Sequence, residues 1–318
     1  MPWKNILKSN FTQMDRLADF LELDEANRAQ ILFKSDFVLN LPYRLAKKIK
    51  KNSIIDPLFL QFVPLQKELK VTKSYNSNPL EEDAFKEGKL LSKYPNRSLV
   101  ITTSACAVHC RYCFRRDYPY ETIRKDFEPE LKLIRDSIET EEIILSGGDP
   151  LSLPDSKLAT LLNELNEIDH IKRIRFHTRF PIGIPERITP ELLNILASVN
   201  KQIWFVLHIN HASELDEEVI ANLKKLSKLG IPLLNQSVLL KGVNDSEETQ
   251  SELLKALSNA GIQPYYLHQL DQVQGAQHFF VKPAAGKRLI EALSNRFSGF
   301  MIPRYVKEIP HRSKKTPL

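Results

Sequence analysis

The pattern that most constrains the fold is an alternation of short apolar segments and amphipathic helices that begins near residue 98. One such helix opens at Asp155 and places Leu158, Leu161 and Leu165 on one face. Strands that alternate with helices form βα units, which build a parallel sheet. The pattern therefore predicts an α/β fold with six strands, at residues 98–103, 142–145, 172–177, 203–209, 233–240 and 264–268.

Polar side chains follow the predicted strands at the point where each one ends. Six βα units fit either an open doubly wound sheet or a partial barrel. In a barrel all the carboxyl ends of the strands meet at one mouth, whereas in an open sheet only those at a switch point meet. Five strands carry such residues, which favours a partial (β/α)6 TIM-like barrel; they are 146–149, 177–179, His208 with Asn210, Asn235 with Gln236, and His268.

The composition excludes several classes of protein. The chain has 318 residues, 42% hydrophobic and 26% charged, which are values of a globular protein and not of a disordered or fibrous one. A net charge of +6 is too small to predict nucleic-acid binding. No apolar run is long enough for a membrane span or a secretion signal, so we expect a cytoplasmic protein. We predict three regions: a mostly helical N-terminal region (1–90), the barrel (91–300) and a C-terminal tail (301–318).

All three cysteines of the chain lie within eight residues, as Cys106, Cys110 and Cys113. An odd number in one short segment does not form a disulfide framework. Three thiolates on one loop can bind three irons of a [4Fe–4S] cluster and leave the fourth iron open to another ligand. The alternative is a structural zinc site with His109 or a distant histidine as the fourth ligand.

This C-x3-C-x2-C spacing, with an aromatic residue before the last cysteine, resembles the radical S-adenosylmethionine (SAM) superfamily. A second feature agrees with it. Gly147, Gly148 and Asp149 follow the second predicted strand in the sequence SGGDP. This segment is similar to the glycine-rich motif of the superfamily, whose backbone and acid receive the amino group of SAM. The resemblance implies a [4Fe–4S] cluster and SAM as cofactors.

Further motifs narrow the resemblance to the lysine 2,3-aminomutase family, over the chain from about residue 90 onward. They include YPNR at 94–97, CAVHCRYCFRR at 106–116, TRFP at 178–181, HINH at 208–211 and NQSVLLKGVND at 235–245. Within the family, segments such as LHQLDQVQGAQHF and the terminal KTPL resemble the branch that acts on translation elongation factor P.

The resemblance implies an isomerase that uses pyridoxal 5′-phosphate (PLP) together with the cluster and SAM. The family carries its PLP-binding lysine near the C-terminus in a Lys-x-Pro segment, which Lys315 matches here. The preceding residues are Arg-Ser-Lys and not the glycine run of other mutases, so Lys314 stays open as the alternative. Tyr94 and Arg97 match positions that hold PLP, and His208 and Gln236 match positions near SAM.

The resemblance also implies a substrate site for L-lysine. Arg115 matches the residue that binds the substrate carboxylate, as the planar donor fork of arginine allows. Asp271 and Glu308 match two acids around the ε-ammonium group, with glutamate at 308 where free-lysine enzymes carry aspartate. Two other positions depart from the family: Lys93 replaces an arginine and His268 replaces a tyrosine that lies against the PLP ring.

These observations lead us to predict an L-lysine 2,3-aminomutase whose product, (R)-β-lysine, is destined for a ligase that modifies elongation factor P. A reducing electron-donor protein is a further implied partner, and a homo-oligomer stays open. One alternative is a mutase that feeds a β-amino acid into a metabolite pathway, with lysine or another amino acid as its substrate. An alternative of a different class is a non-catalytic iron–sulfur or zinc sensor that binds RNA.

Overall fold

A computed structural model describes residues 2–120 and 126–318 of the chain. Within these residues the strands form one ten-stranded sheet. They are β1 (Lys86–Glu87), β2 (Leu90–Tyr94), β3 (Arg97–Thr103), β4 (Glu142–Gly147), β5 (Arg173–Thr178), β6 (Gln202–His208), β7 (Leu233–Leu239), β8 (Gln263–Gln269), β9 (Arg304–Lys307) and β10 (Thr316–Pro317).

The sheet runs in chain order, each strand pairing with the next one along the sequence. From β3 to β9 every pairing is parallel, while β1, β2 and β10 add antiparallel edges. Strands β3 to β8 are the six predicted strands, and the predicted partial barrel is confirmed. Strand β9 extends the parallel sheet, so the sheet continues across the predicted boundary at residue 300.

The helices lie between the strands and before them. They are α1 (Pro2–Lys8), α2 (Met14–Phe20), α3 (Glu25–Arg28), α4 (Tyr43–Lys48), α5 (Pro57–Phe62), α6 (Glu128–Asp136), α7 (Asp155–Asn166), α8 (Phe180–Gly183), α9 (Pro190–Ala197), α10 (Glu217–Lys228), α11 (Glu247–Asn259) and α12 (Pro283–Ser294). In the described residues, none of these helices has the length and apolar content needed to cross a lipid bilayer.

Side-chain caps fix where several helices begin. The Thr189 side chain accepts a hydrogen bond from the Leu192 amide at the start of α9, and Pro190 follows at the first helical position. Asp216 caps α10 by accepting from the Val219 amide.

The described residues contain three hydrophobic cores; a small one packs α12 against β8 and β9, and the other two position the site. The larger one joins α1, α6, α7, α9, α10 and α11 to the outer face of the sheet, and it includes Phe176, Phe205 and Leu207. The second core brings α2, α4 and α5 of the N-terminal region against the chain that follows β3, β7 and β8; it includes Val108 and Leu240. The N-terminal region therefore covers the end of the barrel at which the parallel strands finish. We refer to this end as the mouth.

Charged groups connect β2, near one edge of the sheet, to the chain that follows β9 at the other edge. Lys93 and Tyr94 of β2 both donate to Oε1 of Glu308, at 2.6 and 2.5 Å. The tail then continues to β10, which pairs with β9. The tail thus lies across the open side of the partial barrel, and its strand β10 forms one edge of the sheet.

Candidate active site

The three cysteines lie on the loop that follows β3, which we call the cluster loop (residues 104–117). All three thiols are free, and each side chain is partly exposed. Main-chain hydrogen bonds from Cys113 to Cys110, at 3.2 Å, and from Arg116 to Cys113, at 3.1 Å, turn the loop back on itself. These turns bring the three thiols into one another's electrostatic range.

The thiols are in surroundings that disfavour three negative charges. Burial raises the pKa of Cys106 well above its ordinary value, and the nearby Asp149, Cys113 and Cys110 raise it further. Burial and Cys110 raise the pKa of Cys113 to about 11. Three crowded thiolates need a strongly positive group among them, which is what iron in a cluster supplies. The donor set fits a [4Fe–4S] cluster.

A single metal ion is a poorer match to this loop. No three His, Cys, Asp or Glu side chains surround a common point as ligands of one ion within residues 2–120 and 126–318. Nδ1 of His109, the fourth ligand of the zinc alternative, instead lies 2.7 Å from the Val38 carbonyl oxygen.

Gly147 and Gly148 lie directly against the start of the cluster loop. A Cβ atom at Gly147 would come within 2.8 Å of the Thr103 carbonyl oxygen, and one at Gly148 within 2.4 Å of the Ala105 carbonyl oxygen. Gly147 also has a φ of +113°, which favours glycine. The two glycines thus let β4 approach the cluster loop; contact between this segment and SAM stays a prediction.

Asp149 connects the ends of β4 and β5. Its buried carboxylate accepts from the Thr178 hydroxyl at 2.7 Å and from the amides of Arg179, Phe180 and Leu151. Burial raises the pKa of Asp149, while these four hydrogen bonds act in the opposite direction. This carboxylate is therefore fully used in holding the mouth together, a structural role that the sequence did not predict.

A buried polar network surrounds Tyr112, the residue before the last cysteine. Its hydroxyl lies 2.9 Å from Nε2 of His208 and accepts from Nη1 of Arg179 at 2.6 Å. The same Nη1 lies 2.8 Å from Sγ of Cys110, and Nη2 of Arg179 pairs with Glu214 at 2.6 Å. Burial first, and then the charge of Arg179, lowers the pKa of His208 well below its ordinary value. His208 is therefore neutral next to the cluster loop.

The mouth holds two further neutral histidines. Burial lowers the pKa of His268 to about 3, assisted by Lys315. Burial, followed by the charges of Arg175 and Lys315, lowers the pKa of His177 well below its usual range. In the part of the chain that the structure describes, Nε2 of His177 is buried without a hydrogen-bond partner. An unpartnered polar atom of this kind fits a mouth built to receive a ligand.

Lys315 reaches the mouth because the tail is docked. Strand β10 pairs Thr316 with Lys307, and the Leu318 amide donates to the Tyr305 carbonyl oxygen at 3.0 Å. Lys315 is half-buried, and its Nζ atom lies 2.6 Å from Oε2 of Glu308. Lys314 is exposed. The structure thus favours Lys315 over Lys314 as the lysine that faces the predicted site.

Glu308 is a buried carboxylate with three donors. Lys93 and Tyr94 take one oxygen, and Lys315 takes the other. Burial alone would raise the pKa of Glu308, but the charge of Lys315 and these hydrogen bonds together lower it to about 2. The predicted partner of a substrate ammonium group is therefore occupied by ammonium groups of the protein itself.

Asp271 lies in the same electrostatic environment. Burial raises the pKa of Asp271 to about 7, Lys315 lowers it, and Glu308 and Glu82 raise it. The charges of residues 82, 308 and 315 therefore lie within electrostatic range of Asp271.

Arg115 is already paired with a carboxylate. Its Nε and Nη2 atoms lie 2.8 and 2.7 Å from the two oxygens of Glu82, and Nη1 lies 3.3 Å from Oγ of Ser146. Burial lowers the pKa of Arg115, but Glu82 more than offsets this and raises it. One edge of the guanidinium group is thus held by the protein, while Nη1 and the second hydrogen of Nη2 form the other edge.

Arg97 and Gln236 complete the predicted set. The guanidinium carbon of Arg97 lies 4.3 Å from the centre of the Tyr94 ring. Gln236 is half-buried on β7 and pairs in register with His208 of β6. A pocket of about 670 Å³ lies beside the tail. Its lining combines Glu291 and mainly apolar residues with five cationic side chains whose charge suits a phosphate group; they are Arg97, Lys287, Arg304, Lys314 and Lys315.

Comparisons with known proteins show which family has this site. Residues 100–254 match the Radical SAM superfamily. Over 99% of the chain, 40% of residues are identical to L-lysine 2,3-aminomutase of Escherichia coli strain K12, of which 94% is covered. The chain belongs to the L-lysine 2,3-aminomutase family. It is therefore a radical SAM enzyme, which implies a [4Fe–4S] cluster and SAM, and neither the zinc site nor the non-catalytic sensor is supported.

Other members of the aminomutase family match along the whole chain. The L-lysine 2,3-aminomutase of Haemophilus influenzae strain ATCC 51907 is 40% identical over 99% of this chain and 94% of that protein. That of Clostridium subterminale is 33% identical over 99% of this chain and 77% of that protein. A crystal structure of a radical SAM methyltransferase from Sphaerobacter thermophilus covers 68% of each chain with a TM-score of 0.51 at 19% identity. That likeness concerns the fold alone.

Several residues of this aminomutase site were missed by the sequence reasoning. Glu82 lies 33 residues before Arg115 in a segment with no recognisable motif. Gln61 and Glu214 are fully buried at the mouth and come from distant parts of the chain. Tyr112 and Arg179 could have been identified from the sequence, because they lie within the CAVHCRYCFRR and TRFP motifs. The contacts of Glu82, Gln61 and Glu214 depend on the tertiary fold and had no signal in the sequence.

Proposed function

We propose that this aminomutase converts L-lysine to (R)-β-lysine and uses PLP together with the cluster and SAM. The observation that carries this proposal is that Glu308 contacts Lys315 and that Asp271 lies within electrostatic range of both, while the Arg115 fork lies at the same mouth. A substrate with a carboxylate at one end and an ammonium group at the other matches this distribution of charge. The names of the family relatives support lysine as that substrate.

The chain fits a covalent PLP site. Lys315 is the candidate for the lysine that binds PLP, and the cationic pocket beside it, with Arg97, suits the phosphate. His268 lies on β8 near Lys315 and is neutral, so it can lie against the aromatic ring without adding charge. PLP carries the migrating amino group, while the cluster and SAM supply the radical that starts the migration.

The protein residues then act by binding and by excluding water. The outer edge of the Arg115 guanidinium group would bind the substrate carboxylate, and Asp271 with Glu308 would bind the ε-ammonium group. Glu308 must release Lys93 or Lys315 to do so. The neutral state of His177, His208 and His268 keeps further positive charge out of the mouth.

The proposed reaction is balanced as an isomerisation. The bond between nitrogen and the α-carbon breaks, a bond from nitrogen to the β-carbon forms, and one hydrogen moves from the β-carbon to the α-carbon. No net oxidation occurs, so the external electron is needed only to start a cycle. A reducing electron-donor protein is therefore part of the proposal.

The decisive experiment is an anaerobic assay of the reconstituted enzyme with PLP, SAM, dithionite and L-lysine. We expect β-lysine, identified by mass-resolved chromatography. Cleavage of SAM without β-lysine would leave the radical SAM assignment intact and remove lysine as the substrate, and arginine and glutamate would then be assayed. The same assay without added PLP tests the cofactor separately.

We further propose that the product modifies elongation factor P in the cytoplasm, through a separate ligase. The support is the resemblance of LHQLDQVQGAQHF, KTPL and the cluster-loop sequence to that branch of the family. We also propose that the chain consists of the N-terminal region, the barrel and the C-terminal tail, with boundaries at residues 90 and 300. In cells that carry a Cys110→Ala enzyme we expect elongation factor P to lose the mass of one β-lysyl group. An unchanged mass would instead favour a metabolite pathway for the product.

A further inference from the structure

Most hydrogen bonds that the main chain of the cluster loop makes to other parts of the protein go to the N-terminal region and not to the barrel. The barrel bonds the main chain of the loop at its start, where the Asp149 amide donates to the Ala105 carbonyl oxygen at 2.8 Å, and it bonds the side chains of Cys110 and Tyr112 through Arg179. From Cys106 to Arg111, six residues of the N-terminal region supply hydrogen-bond partners, and we call them the clasp. They are Asn10, Val38, Asn40, Leu60, Gln61 and Glu68.

The first half of the clasp forms hydrogen bonds with the main chain of the loop between Cys106 and His109. Nδ2 of Asn40 donates to the Cys106 carbonyl oxygen at 2.9 Å, and Nδ2 of Asn10 donates to the Ala107 carbonyl oxygen at 2.9 Å. The Asn40 carbonyl oxygen accepts from the His109 amide at 3.0 Å. Asn10 also donates to Oδ1 of Asn40 at 2.7 Å, which joins the two asparagines.

The second half of the clasp holds Arg111, which is fully buried between Cys110 and Cys113. The Arg111 amide donates to the Gln61 carbonyl oxygen at 3.0 Å, and its side chain donates to the Leu60 carbonyl oxygen at 2.8 Å. Nε of Arg111 lies 2.6 Å from Oε1 of Glu68. A loop outside a helix or sheet must find such partners for its buried polar groups, and here another region of the chain supplies them.

We propose that the clasp preforms the cluster loop before any iron is bound and keeps water and oxygen away from the cluster afterwards. Val108 and Tyr112 of the loop are buried in the second core, with side chains of the N-terminal region around them. These hydrogen bonds and apolar contacts of the loop all come from the protein itself. This gives the N-terminal region a function of its own, and it requires only the cluster assignment and not lysine as the substrate.

Hydrogen exchange of the iron-free protein tests the first part of the proposal. Asn40→Ala removes the donor to Cys106 and the contact with Asn10. Loss of one net hydrogen bond corresponds to about fivefold faster exchange in peptides that cover residues 104–113. Exchange in α7 reports whether the barrel is still folded. Equal loop exchange in the wild type and in Asn40→Ala would overturn the proposal.

The matched control is Asn52→Ala. Asn52 also makes side-chain hydrogen bonds within the N-terminal region, to Asp24 and Asn27, but it does not contact the cluster loop. We expect its loop exchange to equal that of the wild type, and an increase as large as in Asn40→Ala would contradict a specific clasp. If Asn40→Ala does not fold, the near-isosteric Asn40→Asp, which lacks the donor, decides the question.

The second part is tested on the reconstituted enzyme in air, by the loss of the visible absorbance of the cluster. We expect Asn40→Ala to lose it several times faster than the wild type and Asn52→Ala to lose it at the wild-type rate. Equal rates in all three proteins would show that the clasp does not protect the cluster. This measurement requires neither PLP nor lysine, so it separates failure of the clasp from failure of the proposed substrate.

Discussion

The two sides of the barrel mouth are held by different kinds of interaction. On the cluster side, Asn10, Asn40 and Gln61 bind the main chain of the loop with neutral amide and peptide groups, and one buried ion pair, Arg111 with Glu68, adds to them. On the tail side, the Glu308 carboxylate forms ion pairs with both Lys93 and Lys315. Neutral groups keep the same geometry whatever the charge of the thiols, whereas an ion pair can exchange one ammonium group for another. The cluster side is thus built to stay fixed and the tail side to change partners.

The largest expected effect is loss of the cluster on one side of the mouth while PLP binding on the other side is retained. Cys110→Ala removes one of three iron ligands, so we expect loss of the cluster absorbance and of all SAM cleavage. Because the tail has its own contacts, PLP binding should persist in this variant, as measured by the absorbance of bound PLP. A [4Fe–4S] spectrum that survives the substitution would contradict the ligand assignment.

The reciprocal substitution is Lys315→Ala, with Lys314→Ala as its matched control. Lys315 faces Glu308 and Lys314 is exposed. We expect only Lys315→Ala to abolish the absorbance of covalently bound PLP, with the cluster spectrum unchanged in both variants. If Lys314→Ala has this effect instead, the assignment belongs to the neighbouring residue.

Acid should weaken the tail side before the cluster side. The pKa of Glu308 falls from an ordinary 4.5 to about 2 on folding, so its contribution to stability is present above pH 4.5 and is lost as the pH falls toward 2. The shift corresponds to roughly 3 kcal/mol. Thermal unfolding of the iron-free protein should show this loss in the wild type and a weaker pH dependence in Glu308→Gln.

Glu252→Gln provides the control for that measurement, since Glu252 is exposed on α11. Its pH dependence should follow the wild type. Identical acid profiles for Glu308→Gln and the wild type would mean that the ion pairs of Glu308 contribute nothing to holding the tail.

Lysine binding should depend on the ionisation of Asp271. The pKa of this buried carboxyl is raised to about 7, so lysine affinity should rise as the pH passes from 6 to 8. Asp271→Asn should weaken binding by about 1.5–3 kcal/mol, the range for losing a charged hydrogen bond, and should flatten the pH profile. Isothermal titration of the PLP-loaded enzyme measures both. An unchanged affinity would remove Asp271 from the substrate site, and Asp169→Asn, at an exposed position before β5, is the control.

The smallest expected effect concerns Glu82, which holds one edge of Arg115. Glu82→Gln keeps the shape of the side chain but not its charge, so Arg115 is oriented less firmly. We expect KM for lysine to rise about fivefold with little change in kcat, as for the loss of one hydrogen bond. A fall in kcat alone would point to another role for Glu82, and Glu87→Gln, at an exposed position, should leave both constants unchanged.

The sequence predicts the fold better than it predicts the contacts of the site. Strands β3 to β8 were predictable because each contains several apolar or β-branched residues within a short segment and is followed by polar residues. Strand β9 begins with Arg304 and has only four residues, so it has no such signal. The cysteines were predictable from spacing, but the clasp was not. Many of its contacts use main-chain carbonyl groups, such as that of Asn40, which every residue possesses.

The sheet grows in chain order, since each strand pairs with the next one along the sequence. Short-range pairing of this kind lets a chain fold as it is synthesised, from its N-terminus onward. The clasp and the cluster loop are both complete by residue 117, whereas Glu308 and Lys315 lie more than 190 residues further along the chain. We expect a nascent chain to form the cluster loop before the residues of the proposed lysine site have been synthesised.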